Sequence, residues 1–174
     1  MCISQKTKKK MKEIEKINNK IFSIEDIKQE VSKWRDENKK IVFTNGCFDI
    51  IHRGHIDYLS KAKDLGDKLI IGLNTDLSVR NIKGNTRPIQ DEQSRAIILA
   101  AMQFVDAIVL FSDSTPYSLI KGIQPDILVK GADYKKEDIV GYDIVSARGG
   151  NVITIEFLDG YSTSNIERKI KNAN

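Results

Sequence analysis

Apolar residues along this chain fall into short β-branched and aliphatic runs. Between the runs they recur every three or four positions. The runs at 41–44, 67–73, 107–111, 127–129 and 152–155 predict five strands. The second, Lys-Leu-Ile-Ile-Gly-Leu, is nearly unbroken, as in a strand of a parallel sheet covered on both faces. Helical spacing predicts helices over 54–65, 92–104, 139–147 and 163–170. A short helical or irregular piece carries Val79, Arg80 and Lys83, and residues 112–115 with Pro116 open a further helix. Asp91 is placed to cap the helix from Glu92, and Ser162 or Thr163 to cap the last one. Gly66 is placed as a left-handed stop for the helix over 54–65. Upstream, Ser23 with Asp26 has the form of an N-cap and its acidic partner. Ile24, Ile27, Val31 and Trp34 then make one apolar stripe that ends near Asn38.

Strands alternating with helices at this spacing predict an α/β, Rossmann-like, doubly wound parallel sheet of five strands. A single domain over 40–174 is expected, preceded by an N-terminal helical extension over 21–39 and a basic, flexible tail over 1–20.

With 174 residues, 40% hydrophobic and 30% charged, the chain fits one soluble domain. No apolar run reaches the length of a membrane span, and no apolar segment follows the N-terminal lysines as it would in a signal peptide. Two cysteines, Cys2 and Cys47, give no disulfide framework, so a reducing cytoplasmic setting is expected. The net charge of +4 is unevenly spread. Residues 1–40 carry 12 Lys and Arg against 7 Asp and Glu, and the remainder carries 16 against 17. The domain proper therefore lacks the charge balance of a nucleic-acid-binding surface, and neither nucleic acid nor membrane is expected as a partner.

Both histidines of the chain lie in one stretch, Thr44 to His55, which leads from the first strand into the first helix of the alternation. His52 and His55 are three residues apart at a helix start, where imidazoles and free backbone N–H groups face the same ligand. Gly46 and Gly54 are the residues a loop needs if its backbone is to approach phosphate oxygens. A zinc site built from His52, His55 and Cys47 is the rival reading, but Cys2 in the tail is the one other cysteine it has to draw on. The remaining strand-to-helix loops favour phosphate. They hold Asn45 and Asp49 after the first strand, Asn74, Asp76 and Lys83 after the second, Lys130 and Asp133 after the fourth, and Ser162, Thr163 and Ser164 after the fifth. Ligands of open α/β sheets bind at that edge.

The run Gly46-Cys-Phe-Asp-Ile-Ile-His-Arg-Gly-His55 resembles the HxGH signature of the nucleotidylyltransferase superfamily. Tyr161-Ser162-Thr163-Ser164, roughly 110 residues later, resembles its ISTT-like signature. Residues 85–89, 126–134 and 160–166 further resemble the adenylyltransferase domain of bacterial heptose 1-phosphate enzymes, the second half of a bifunctional kinase/adenylyltransferase. The likeness spans roughly residues 38–172, without the kinase half. It departs from that pattern at Ala132 and Ser164. It lacks the arginine that glycerol-phosphate cytidylyltransferases carry shortly before the second signature, having Phe157-Leu158-Asp159-Gly160 there.

The resemblance implies transfer of an adenylyl group from ATP to D-glycero-D-manno-heptose 1-phosphate, by direct in-line attack on the α-phosphate with release of pyrophosphate, in the biosynthesis of lipopolysaccharide core. It implies catalytic roles for His52, His55 and Lys83. It implies nucleotide binding by Asn45, Gly46, Cys47, Phe48, Gly54, Asn74, Lys130, Gly131, Asp133, Ser162, Thr163 and Ser164. Substrate contacts are implied for Asp49, Lys83 and Arg95, with a structural role equally open for Asp49 and a surface ion pair equally open for Arg95. Mg2+ is expected, held mainly by the triphosphate, and a homodimer is expected because relatives commonly form one. The alternatives are the same fold acting on another phosphorylated alcohol, such as glycerol phosphate with CTP or FMN with ATP, and a non-catalytic nucleotide-binding module.

Overall fold

A computed structural model describes residues 11–132 and 135–173. In chain order the elements are α1 (Glu13–Asn18), β1 (Ile21–Phe22), α2 (Ile24–Asp36), β2 (Ile41–Gly46), α3 (Arg53–Lys63), β3 (Lys68–Asn74) and α4 (Asp76–Lys83). There follow α5 (Glu92–Ala100), β4 (Ala107–Phe111), α6 (Tyr117–Ile123), β5 (Ile127–Gly131), α7 (Tyr142–Ala147), β6 (Asn151–Ile155) and α8 (Thr163–Lys171). A 3-10 turn at Lys136–Asp138 precedes α7.

All strand pairs are parallel, in the order β1-β4-β3-β2-β5-β6. The sheet has six strands where the apolar runs predict five. The extra strand, β1, is two residues long, too short for any periodicity to show. It pairs Ile21 with Ile108 and Phe22 with Val109 at the β4 edge. The preceding residues form α1, in a stretch whose polar composition predicts a frayed tail, and Ile17 packs against the core from there.

The central strands are largely apolar because helices cover both faces. On one face Ile27, Val31 and Trp34 of α2 pack with Ile120 of α6 and Val145 of α7; on the other, Leu59 and Ala62 of α3 pack with Ala96 and Leu99 of α5. Ser23 caps α2 by accepting from the Asp26 N–H at 3.0 Å, and Asp91 caps α5 through the Ser94 N–H at 2.9 Å. Gly66 does not take the left-handed conformation expected of a helix stop. It is a close-approach glycine, since a Cβ there would lie 2.7 Å from Val42 Cγ2 and 2.9 Å from the Lys40 carbonyl oxygen.

At the amino edge of the sheet, carboxylates tie strand starts together. Asp126 accepts from the Ile41 N–H at 2.7 Å, Asp67 from Lys40 at 2.8 Å and Asp106 from Leu69 at 2.8 Å. Asp106 also pairs with Lys63 and Lys68. At the carboxyl edge the chain leaves β2 toward β3 on one side and β5 toward β6 on the other. The sheet therefore opens a crevice between the ends of β2 and β5.

Candidate functional site

The crevice is a cavity of about 320 Å3, with Asn45, Gly46, Cys47, Phe48 and Asp49 on the β2 side and Lys130 and Gly131 on the β5 side. His55, Lys83, Phe157 and Thr163 line it as well, and all four also line a second lobe of about 460 Å3. That lobe adds His52, Gly54 and the segment from Leu158 to Asn165. The histidine pair and the Ser-Thr-Ser cluster thus share one rim at the carboxyl edge, across 110 residues of sequence.

Locally the arrangement follows from the loop after β2. Phe48 takes φ 45°, a left-handed conformation that a bulky residue enters at a cost. Its buried ring meets the edge of His55, with centroids 5.4 Å apart and planes at 62°. His52 stands at the N-cap of α3, and no side chain satisfies that helix's first N–H groups. Neither α3 nor α8 has an acidic residue in its first turn, so both helix dipoles remain open to an anion. A Cβ at Gly54 would lie 3.1 Å from the His52 ring and 3.1 Å from Tyr161 Cβ. The glycine of the first signature is therefore what lets the second signature approach it.

The two imidazoles stack, with centroids 3.9 Å apart and planes at 22°. Burial pushes the pKa of His55 down to about 4, helped by His52 and Lys83, and burial also lowers that of His52. Both rings are therefore neutral near pH 7. Among the described residues their Nδ1 atoms, and Asn45 Oδ1, are buried without a hydrogen-bond partner. Buried polar atoms in a native fold are normally paired, so a cluster of unpaired ones at a crevice marks a place for a polar ligand. Neutral imidazoles donate hydrogen bonds to oxyanions, and among the described residues no carboxylate fixes the tautomer of either ring.

The structure brings most of the expected residues together. Asn45, Gly46, Cys47, Phe48, Asp49, Lys130 and Gly131 line the first lobe; His52, Gly54, Ser162 and Ser164 line the second; His55, Lys83 and Thr163 line both. Ser162 also caps α8, accepting from the Asn165 N–H at 3.1 Å. Asn74 and Arg95 do not join the lining. Arg95 is fully buried and donates to the carbonyls of Cys47 at 2.7 Å, Asn74 at 2.8 Å and Gln90 at 3.0 Å, with Asp76 at 2.7 Å. A guanidinium so engaged clasps the loops from beneath instead of meeting a substrate. Asn74 joins the same underlayer, donating to Ser78 Oγ at 2.9 Å. Asp49 faces the crevice, but its carboxylate accepts from Arg87 at 2.6 Å and from the Ile89 and Gln90 N–H groups at 2.9 Å. Burial alone would raise its pKa. These bonds hold it below the ordinary carboxylate value instead. Asp133 lies outside the described residues.

Two lining aromatics were not singled out from the sequence. Tyr58 is buried and its hydroxyl lies 2.8 Å from Thr44 Oγ1. Phe157 leans on Tyr58, with centroids 5.8 Å apart, and stays 56% exposed. The signal for Tyr58 was its place one helical turn beyond His55. Phe157 was noticed only as the absence of an arginine.

Among the described residues no three His, Cys, Asp or Glu side chains gather to hold a metal ion. Asp49 is already bound to Arg87 and two amides, and imidazole, amide, hydroxyl and ammonium groups make up much of the remaining lining. This donor set suits an anion. With Asp159 as the other carboxylate of the described lining, the described residues supply no carboxylate cluster of their own for a divalent cation.

Comparison with known proteins agrees with the geometry. The family model described as cytidylyltransferase-like matches residues 43–169. The chain is 49% identical over 154 residues to the bifunctional protein HldE of Wolinella succinogenes, covering 88% of this chain and 32% of that one. It is 58% identical over 138 residues to the HldE protein of Campylobacter jejuni, covering 79% and 29%. The chain thus spans about a third of the length of these curated relatives. Among solved structures, a lipopolysaccharide core biosynthesis protein from Thermoplasma volcanium is 29% identical with a TM-score of 0.58, covering 71% of this chain and 99% of that one. A pantoate-beta-alanine ligase from Francisella tularensis, 18% identical with a TM-score of 0.55, covers 87% and 76% and shares the fold. Among the described residues no helix is long and apolar enough to cross a membrane.

Proposed function

The chain belongs to the cytidylyltransferase-like family, and on that premise we propose that it transfers an adenylyl group from ATP to D-glycero-D-manno-heptose 1-phosphate. An oxygen of the sugar phosphate attacks the α-phosphorus in line, forming a new P–O bond. The bond from the α-phosphorus to the oxygen bridging to the β-phosphorus breaks, and pyrophosphate leaves with that electron pair. The products are ADP-heptose and pyrophosphate.

The observation that carries this proposal is the shared rim of the stacked histidines and the Ser162–Ser164 segment, where the N-termini of α3 and α8 converge. In it, His52 and His55 donate hydrogen bonds to the phosphate oxygens that gain charge as the bridging bond lengthens, and their neutrality avoids the cost of burying two cations side by side. Thr163, Ser164 and the first N–H groups of α8 hold the β- and γ-phosphates. Lys83, at the end of α4, lines both lobes and balances the charge of either the incoming phosphate or the leaving pyrophosphate. Most of the acceleration then comes from positioning and charge stabilisation, with no covalent enzyme intermediate. Magnesium enters with the triphosphate, whose charge it lowers, and no step is assigned to it.

Support for adenylyl transfer to a heptose phosphate comes from the motif likeness, with a lipopolysaccharide core biosynthesis protein among the similar solved structures; support for nucleotidyl transfer as such comes from the rim. A direct test mixes the full chain and Mg2+ with each nucleoside triphosphate and a panel of phosphorylated sugars and alcohols, and measures pyrophosphate release. Release with ATP and the heptose 1-phosphate supports the proposal. Release confined to CTP with glycerol phosphate, or to ATP with FMN, overturns the substrate assignment. No release with any pair overturns the activity and leaves a nucleotide-binding module.

A further inference from the structure

Helix α8 carries the Ser-Thr-Ser rim yet buries none of its own residues, so core packing does not fix where that rim sits. Contacts at three points along it tie it to the rest of the domain. At its start, the Tyr161 hydroxyl accepts from Arg53 at 3.2 Å, in an exposed pair. Near its end, Ile170 borders an apolar groove of about 480 Å3 with Ile50 and Ile89, but Ile170 is 58% and Ile89 60% exposed, so that packing is incomplete. In its middle, Glu167 pairs with Arg87.

The third of these contacts has a buried foundation. The Arg87 side chain is 14% exposed, and its Nη1 donates to Asp49 Oδ2 at 2.6 Å while Nη2 meets Glu167. Asp49 is 3% exposed at its side chain and is fixed further by the Ile89 and Gln90 N–H groups. It lies in the loop after β2, one residue beyond Phe48. One guanidinium therefore spans the two halves of the rim, the loop after β2 and helix α8.

We infer that Arg87 is a positioning residue, which sets the distance between the histidine pair and the Ser162–Ser164 segment by gripping Asp49 and Glu167 at once. The inference rests on the reading that a triphosphate lies between those two groups. Its chemistry requires a planar fork with two nitrogens facing two carboxylates in fixed geometry; a lysine ammonium offers one point charge. Loss of Glu167 leaves the Arg87–Asp49 pair intact and loosens α8. Loss of Arg87 also strands the Asp49 carboxylate in a buried place beside Glu167, so it affects the fold as well.

The test uses the full chain, titrated by calorimetry with a non-hydrolysable ATP analogue and Mg2+, with steady-state kinetics beside it. Glu167→Ala is expected to weaken analogue binding and raise the KM for ATP by about fivefold. The KM for the sugar phosphate and the melting temperature should stay as in the wild type. Arg87→Lys is expected to match it, and Glu167→Gln, which keeps an acceptor for Arg87, should recover part of the loss. Wild-type binding by Glu167→Ala, or an equal rise in both KM values, overturns the inference. A wild-type chain that binds no analogue overturns the reading of the site beneath it, and this is seen before any variant is compared.

Discussion

The two edges of the sheet use polar side chains in opposite ways. At the amino edge, Asp67, Asp106 and Asp126 each accept from a backbone N–H, and Asp106 has two lysines around it. At the carboxyl edge, the Nδ1 atoms of His52 and His55 and Asn45 Oδ1 are buried without partners among the described residues. A satisfied polar group holds a fold together; an unsatisfied buried one costs stability and persists where a ligand completes it. The comparison separates residues that hold the sheet from residues that act on something else, although both groups are polar and sit in loops.

The sharpest way to break that contrast is to truncate one residue at each edge. His55→Ala should lower turnover by at least about 100-fold, the scale of losing an oxyanion donor, while the melting temperature holds or rises because a buried unpaired imidazole is gone. Pyrophosphate release and thermal melts measure the two quantities, and unchanged turnover would remove His55 from the chemistry. Asp126→Ala should do the reverse. Leaving the Ile41 N–H unpaired costs about 2 kcal/mol by denaturant unfolding, with KM and kcat of the remaining folded protein unchanged.

A smaller effect lies in the pH dependence of stability. His55 has its folded pKa pushed down to about 4 from an ordinary 6.5, so between these values the unfolded chain binds the extra proton. The stability is fully present above about pH 6.5 and is lost as pH falls toward 4, lowering the melting temperature over that window by several degrees. The His55→Ala variant should show a flatter profile; an equal slope would place the acid sensitivity elsewhere. Smallest is Phe157→Ala, expected to raise KM for one substrate by a few-fold through lost contact with the exposed ring that lines both lobes. No change in either KM would leave Phe157 as mere surface.

Much of the fold was legible because buried parallel strands are continuous apolar runs and the helix caps at Ser23, Asp91 and Ser162 announce themselves. Strand β1 was not, since two residues carry no period, and Gly66 was misjudged because a glycine required by a close neighbour looks, in sequence, like one required by a turn. For the site, the types and order of the loops revealed the rim. They did not reveal which polar residues look inward at the protein. Arg95 carries four hydrogen bonds to groups far from it in sequence or at a loop turn, and Asp49 is bound to a loop some 40 residues on. Such bonds depend on where loops from different strands meet, which no local pattern encodes.

The claim on which the account rests is that the paired imidazoles meet the nucleotide's phosphates, and the chain's having just two histidines makes it directly measurable. Long-range 1H–15N spectra of the imidazoles, recorded at neutral pH as the ATP analogue and Mg2+ are added, should show the nitrogen signals of both His52 and His55 moving together with the calorimetric binding curve. Saturable binding by calorimetry while both histidine signals stay in place would contradict the account.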